Sequence, residues 1–151
     1  MSAASDGYKR QLFGYWGGGI NMTDGDYTYF HYPENFSQQN PNRYQYTLMP
    51  THMRQFFSLE ELRSASLHKP FNFTKETPVL KINRIERQTD GGYKGYEDTK
   101  SALYKLQNDQ GQLSPINDKN LFKKYQDMMI KVIKQYDPPK ELLHNYFNIN
   151  N

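Results

Sequence analysis

At 151 residues the chain fits one domain, and with 36% apolar and 15% aromatic content, Tyr and Phe must supply much of its core. Its 19 basic and 16 acidic residues leave a net charge of +3 with no long run of one sign, too weak a field to point to nucleic acid. Cysteine is absent, which excludes disulfides, thiol catalysis and cysteine-ligated zinc, and no stretch nears the roughly 18 apolar residues of a membrane span.

The leading "MSAASDGYKR" lacks the apolar segment of a signal peptide, so the chain reads as soluble, with the cytoplasm rather than secretion as its expected compartment. Residues Leu12 to Met22 are expected as a first strand, with Leu12, Trp16, Ile20 and Met22 on one face and Phe13 and Tyr15 on the other. Gly17, Gly18 and Gly19 interrupt it, and glycine inside a strand marks a bulge or a close backbone approach. Asp24-Gly25 suits a tight hairpin turn whose two central positions tolerate positive φ, leading into a second strand from Tyr27 to Tyr32 that Pro33 ends. The polar "PENFSQQNPN" is a loop, and "RYQYTLM" alternates as a third strand closed by Pro50. Ser58 and Glu61 have capping-box spacing and open a helix of about three turns over "SLEELRSASL". Val79 to Arg87 is expected as an edge strand, "QTDGGYKGYED" as an exposed loop, and "ALYKLQND" as a strand alternating through Ala102, Tyr104 and Leu106.

The clearest element spans about Asn120 to Tyr136. On a helical wheel Leu121, Phe122, Tyr125, Met128, Met129, Val132, Ile133 and Tyr136 fall within roughly 140°, opposite Lys123, Lys124, Asp127, Lys131 and Lys134. Tyr125, Met129 and Val132 should be buried, and Lys123, Lys131 and Lys134 should face water. Asp137-Pro138-Pro139 stops this helix and can start a short one over "KELLHNYF". Strands joined by hairpins and followed by a long amphipathic helix predict an α+β fold, a small antiparallel sheet of about four strands packed by that helix.

The chemistry available is sparse. The glycines run into a hairpin rather than into a Lys-Ser/Thr helix start, which is not the pattern of a phosphate loop. His31, His52, His68 and His144 lie in separate elements without metal-ligand spacing, and no G-x-S-x-G elbow supports a serine triad. A lysine face opposite an apolar stripe is what a solvated surface helix carries. "YTLMPTHMRQFFS" stands apart, because a strand runs into Pro50 and then presents Thr51, His52 and Arg54 together at a strand exit, where binding groups often project. Two readings stay open there: a substrate-binding loop, or a buried loop with His52 bonded to backbone.

Four stretches, "FGYWGGGINMTDGDYTYFHYP", "YQYTLMPTHMRQFFSLEEL", "PFNFTKETPVLKI" and "LYKLQNDQGQLSPI", follow one another in a chain segment from about residue 12 to residue 136. In that order they resemble the C-terminal part of bacterial sulfatase-family hydrolases of the alkaline-phosphatase superfamily. The family's nucleophile is a Cys or Ser in a C/S-x-P-x-R motif, converted to formylglycine. Here cysteine is absent, and none of the 8 prolines has Ser two positions earlier. The resemblance implies that the formylglycine and the calcium-binding cluster belong to a large N-terminal domain preceding residue 1, so no catalytic residue, metal ligand or cofactor is expected in these residues. It implies a C-terminal subdomain, residues 1–151, inactive alone, that packs on a catalytic sulfatase domain and shapes the substrate cleft. Thr51, His52 and Arg54 would then meet the anionic ester. Gly17, Gly18 and Gly19 would let the larger domain, or a tightly packed loop, approach the sheet. The other open reading is an independent module binding an anion or sulfated sugar, or a structural domain. No nucleic-acid or membrane partner is expected, and homo-oligomerisation is left open.

Overall fold

A computed structural model describes residues 10–14, 18–33, 44–49, 51, 56–83 and 100–150. In chain order its elements are β1 (Gln11–Gly14), β2 (Ile20–Thr23), β3 (Tyr27–His31), β4 (Tyr44–Thr47), α1 (Leu59–Arg63), β5 (Ser66–His68), β6 (Val79–Asn83), β7 (Ala102–Lys105), α2 (Lys119–Lys134) and α3 (Lys140–Phe147). They divide between two compact units, one made of residues 1–38 and 97–151 and the other of residues 39–96. Among the described residues no helix is long and apolar enough to cross a membrane.

The first unit holds a four-stranded antiparallel sheet in the order β1-β2-β3-β7, with the long helix α2 against it, so the fold is α+β as expected. The register sets Leu12, Met22, Tyr29 and Leu103 side by side across the four strands. With a strand period of two, this row points to one face, and it meets Tyr125, Met129 and Ile133 of α2 and Leu143 of α3 in the core. Met22, Leu103 and Met129 have no exposed surface at all. The helix starts where the Asp118 carboxylate accepts the backbone N–H groups of Asn120 and Leu121, and Lys131 and Lys134 sit in its last turn, favourable to its dipole.

The second unit holds a three-stranded antiparallel sheet in the order β4-β6-β5. Phe57, Phe71, Val79 and Ile82 are its buried apolar residues. Rings gather beside them: Tyr46 meets His68 and Phe71 edge-on, and Phe71 and Phe73 stack in parallel. The Lys81 ammonium lies 4.0 Å from the centroid of the Tyr44 ring, a cation–π contact between laterally adjacent strands.

Several expectations change. The first expected strand is two strands, because the chain reverses between Gly14 and Ile20 and β1 pairs back on β2, while Leu12, Ile20 and Met22 still share the core side. At Gly19 a close approach comes from within the unit. A Cβ on Gly19 would stand 2.8 Å from the Tyr32 ring and 2.9 Å from the His31 carbonyl oxygen. Tyr15, Trp16 and Gly17 lie outside the described residues. At Asp24-Gly25 only Gly25 has positive φ, +94°, so the turn is longer than a two-residue hairpin. The Asp24 side chain accepts from the Asp26 and Tyr27 N–H groups and sets its shape.

The third strand stops at Thr47, whose hydroxyl accepts the Met49 N–H, and it belongs to the second sheet. The expected three-turn helix is five residues long: the Ser64 hydroxyl donates to the Glu61 carbonyl at its end, and Ser66–His68 then pairs with β6. β6 is central rather than an edge strand. The expected strand at 84–87 and the loops at 34–42 and 88–98 fall outside the described residues. In β7 the inward residue is Leu103, flanked by Ala102 and Tyr104 on the opposite face. On α2, Ile133 is buried and Val132 only half-buried, while Tyr136 is 64% exposed because it lies past the C-cap residue Gln135. Lys123, Lys131 and Lys134 are exposed, and Tyr125 and Met129 are buried.

Candidate functional site

Of the three residues singled out at the strand exit, Thr51 is described, and His52 and Arg54 lie outside the described residues. β4 ends in a side-chain turn in which Thr47 accepts from the Met49 N–H at 2.9 Å and donates to its carbonyl at 3.2 Å. Leu48 and Met49 are exposed beyond it. Thr51, half-buried, then forms an isolated antiparallel bridge with Phe56. Two residues later the Ser58 hydroxyl accepts the Glu61 N–H at 3.2 Å, and the Glu61 carboxylate accepts the Ser58 N–H at 2.8 Å. This capping box draws Glu61 wholly out of solvent. Thr51 and Phe56 are thus a bridged pair that stands just before a capped helix.

The most developed polar arrangement in the described residues lies elsewhere, in the first unit. His31 is buried, and its Nε2 is 2.7 Å from the Tyr146 carbonyl oxygen. A carbonyl only accepts, so Nε2 carries the proton and Nδ1 accepts the Tyr29 hydroxyl at 3.1 Å. The ring stacks on Phe147 with centroids 4.5 Å apart and planes 4° from parallel. Burial lowers the imidazole pKa, and the Tyr146 carbonyl partly opposes that. Burial likewise pushes the Tyr29 hydroxyl up to about 12. The Tyr146 hydroxyl donates to the Gly18 carbonyl at 2.6 Å, and Ser101 Oγ accepts the Tyr32 N–H and donates to the Tyr32 carbonyl. Both nitrogens of His31 are used by its own fold, so it is a structural residue rather than a proton-transfer group.

A second link, part-buried, joins Tyr125 to the β2–β3 turn: its hydroxyl donates to Asp24 at 2.7 Å. Burial first, then that bond and the aspartate charge, raise its pKa. Neither link was read from sequence. The available signal was the strand period, which puts Tyr29 and His31 on one face, and the need of any buried Tyr hydroxyl for a partner.

Among the described residues no three His, Cys, Asp or Glu side chains gather where a metal ion could sit. Searches against protein-family models, curated proteins and solved structures find no match to this chain.

Proposed function

We propose that these residues form the C-terminal subdomain of a sulfatase-like sulfuric-ester hydrolase, non-catalytic alone, that packs on the catalytic domain and helps shape the substrate cleft. The observation that carries this reading is the ordered succession of family-like stretches from about residue 12 to residue 136. The fold is compatible with it: an antiparallel four-stranded sheet with one long helix is what the resemblance implies. Those stretches also carry the joints of the fold, among them Gly19, the Asp24 turn and the Ser58–Glu61 box. The segment from Thr51 to Arg54 would face the catalytic domain. There the planar fork of Arg54 suits an oxygen-rich anion, and His52 adds a second donor.

Covalent catalysis needs an activated nucleophile, and the chain has no cysteine and no Ser-x-Pro. The purified chain should therefore turn over neither aryl sulfates nor phosphate esters, and turnover that survives repurification and chelation would overturn the reading. The in-frame coding sequence upstream should carry C/S-x-P-x-R. In the enzyme carrying both domains, His52→Ala and Arg54→Ala should each raise KM about tenfold or more with Tm unchanged. Loss of Tm with unchanged kinetics would instead make both residues structural.

A further inference from the structure

Helix α2 departs from the charge rules that would stabilise it as an element on its own. Asp118 caps it, but no acidic residue follows in its first turn, and Lys119 stands at its first position, where the dipole disfavours a cation. Lys119 and Lys123 are four residues apart and Lys131 and Lys134 three apart, spacings that set like charges side by side and weaken a helix. Mixed signs would solvate the face equally well, and a Glu four residues before each Lys would add stability. Departures of this kind from local preference are expected where a surface serves a function.

At about 100° per residue, Lys119, Lys123, Lys134, Lys131 and Lys124 fall within about 140°, opposite the buried Tyr125, Met129 and Ile133. All five lysines are exposed, and none has an ion-pair partner among the described residues. The same arc holds one acid, Asp127, together with Asn120 and the half-buried Ile130. At about 1.5 Å per residue, the stripe from Lys119 to Lys134 is about 22 Å long. Successive lysines along it are separated by a rise of at most about 10 Å, comparable to the Debye length at about 0.1 M salt, so their fields overlap.

We infer that this stripe binds a linear polysaccharide carrying sulfate esters along its length, a polymeric form of the substrate class proposed above; the choice of sulfate rests on that reading. Length selects a polymer, because a single small ester would engage one or two ammonium groups and leave the others idle. The side chains select against nucleic acid. The stripe has no arginine and no aromatic ring, so it offers point charges but no guanidinium fork for phosphate and no platform on which bases stack. A sulfated polysaccharide needs only point charges, with the exposed Asn120 at hand for its hydroxyl groups. The stripe lies in the first unit and Thr51 in the second, so the residues that capture the polymer are distinct from those given to the ester.

Fluorescence anisotropy of labelled dextran sulfate titrated with the full chain at about 0.1 M salt tests it. Binding that weakens steeply with added salt is expected, with none to unsulfated dextran. Lys123→Gln, Lys131→Gln and Lys134→Gln combined should raise Kd about tenfold or more and flatten the slope of log K against log salt by about two, with Tm no lower. Lys69→Gln, Lys75→Gln and Lys100→Gln combined remove the same charge from exposed positions off the helix, and should change Kd by less than about threefold. No binding, equal losses in the two triple variants, or oligothymidylate of matched length bound as tightly as dextran sulfate would each overturn the inference. Its failure is distinguishable from failure of the catalytic-domain reading, because binding is measured on this chain alone, whereas that reading falls on turnover or on the upstream coding sequence.

Discussion

His31 shows how a titratable side chain becomes a rivet. Its Nε2–H is committed to the Tyr146 carbonyl and its Nδ1 to the Tyr29 hydroxyl, and the ring is buried, so a second proton puts a charge where burial disfavours it. The folded-state pKa is accordingly below the ordinary 6.5. The unfolded chain then binds the proton more readily, and stability present above that value is lost as pH falls from it toward the folded pKa. His31→Phe keeps a ring against Phe147 but removes the partner that His31 gives the Tyr29 hydroxyl and the Tyr146 carbonyl, for about 1–3 kcal/mol at pH 7. Urea titrations between about pH 7.5 and 5 should show the wild-type stability falling and the His31→Phe stability falling less. An equal slope in both would show that His31 is not the titrating group. Glycine makes a parallel case from steric exclusion. Gly19→Ala drives a methyl into the Tyr32 ring and the His31 carbonyl and should cost about 1–3 kcal/mol. Gly25→Asn meets no neighbouring atom, but its φ of +94° strains any side chain, so in the same titration it should also destabilise, by about 1–3 kcal/mol, through the backbone alone.

Helix α2 ties the sheet to the rest of the first unit, and its energetics sit on one stripe. Met129 is wholly buried against Met22 and Leu103, so Met129→Ala should cost about 2–5 kcal/mol. Val132→Ala, at a half-buried position, should cost clearly less in the same chemical denaturation. Reversal of that order would mean the helix is rotated on the sheet. This helix was legible because a 3.6-residue period sustained over four turns overrides local ambiguity, and Asp118 marks its start. The capping box at Ser58 and Glu61 was equally legible, since its signal lies within four residues. The three-residue β5 was not: Ser66–His68 is a strand only because β6 lies beside it, and no local pattern announces a distant partner. The split between β1 and β2 was hidden for a related reason, as the alternation of Leu12, Ile20 and Met22 survives the reversal. Around Thr51, sequence marked a strand before it and the Ser58–Glu61 box after it, but not the Thr51–Phe56 bridge. The His31 arrangement escaped because it joins residues 115 apart.

At the scale of the molecule, residues 39–96 are inserted in the sequence between β3 and β7 of the first unit: the chain leaves after β3 and returns to lay β7 directly beside it. The hydroxyl of Ser101 clasps both the N–H and the carbonyl of Tyr32, so the outgoing and returning strands are held as immediate neighbours. Replacing residues 39–96 with a short Gly/Ser linker should therefore leave a first unit that still unfolds cooperatively, because a strand-to-strand gap of about 5 Å needs few residues to span. A non-cooperative melt of that deletion would mean the inserted unit is required for the first one to hold. The same clasp dictates a schedule. On the ribosome β1, β2 and β3 emerge first, but Leu103 and Met129, which complete their apolar side, are made only after the whole inserted unit has been synthesised. At about 5–20 residues per second, the half-sheet waits several seconds with Met22 and Tyr29 uncovered. During this interval Met22 and Tyr29 lack the residues that bury them in the folded core.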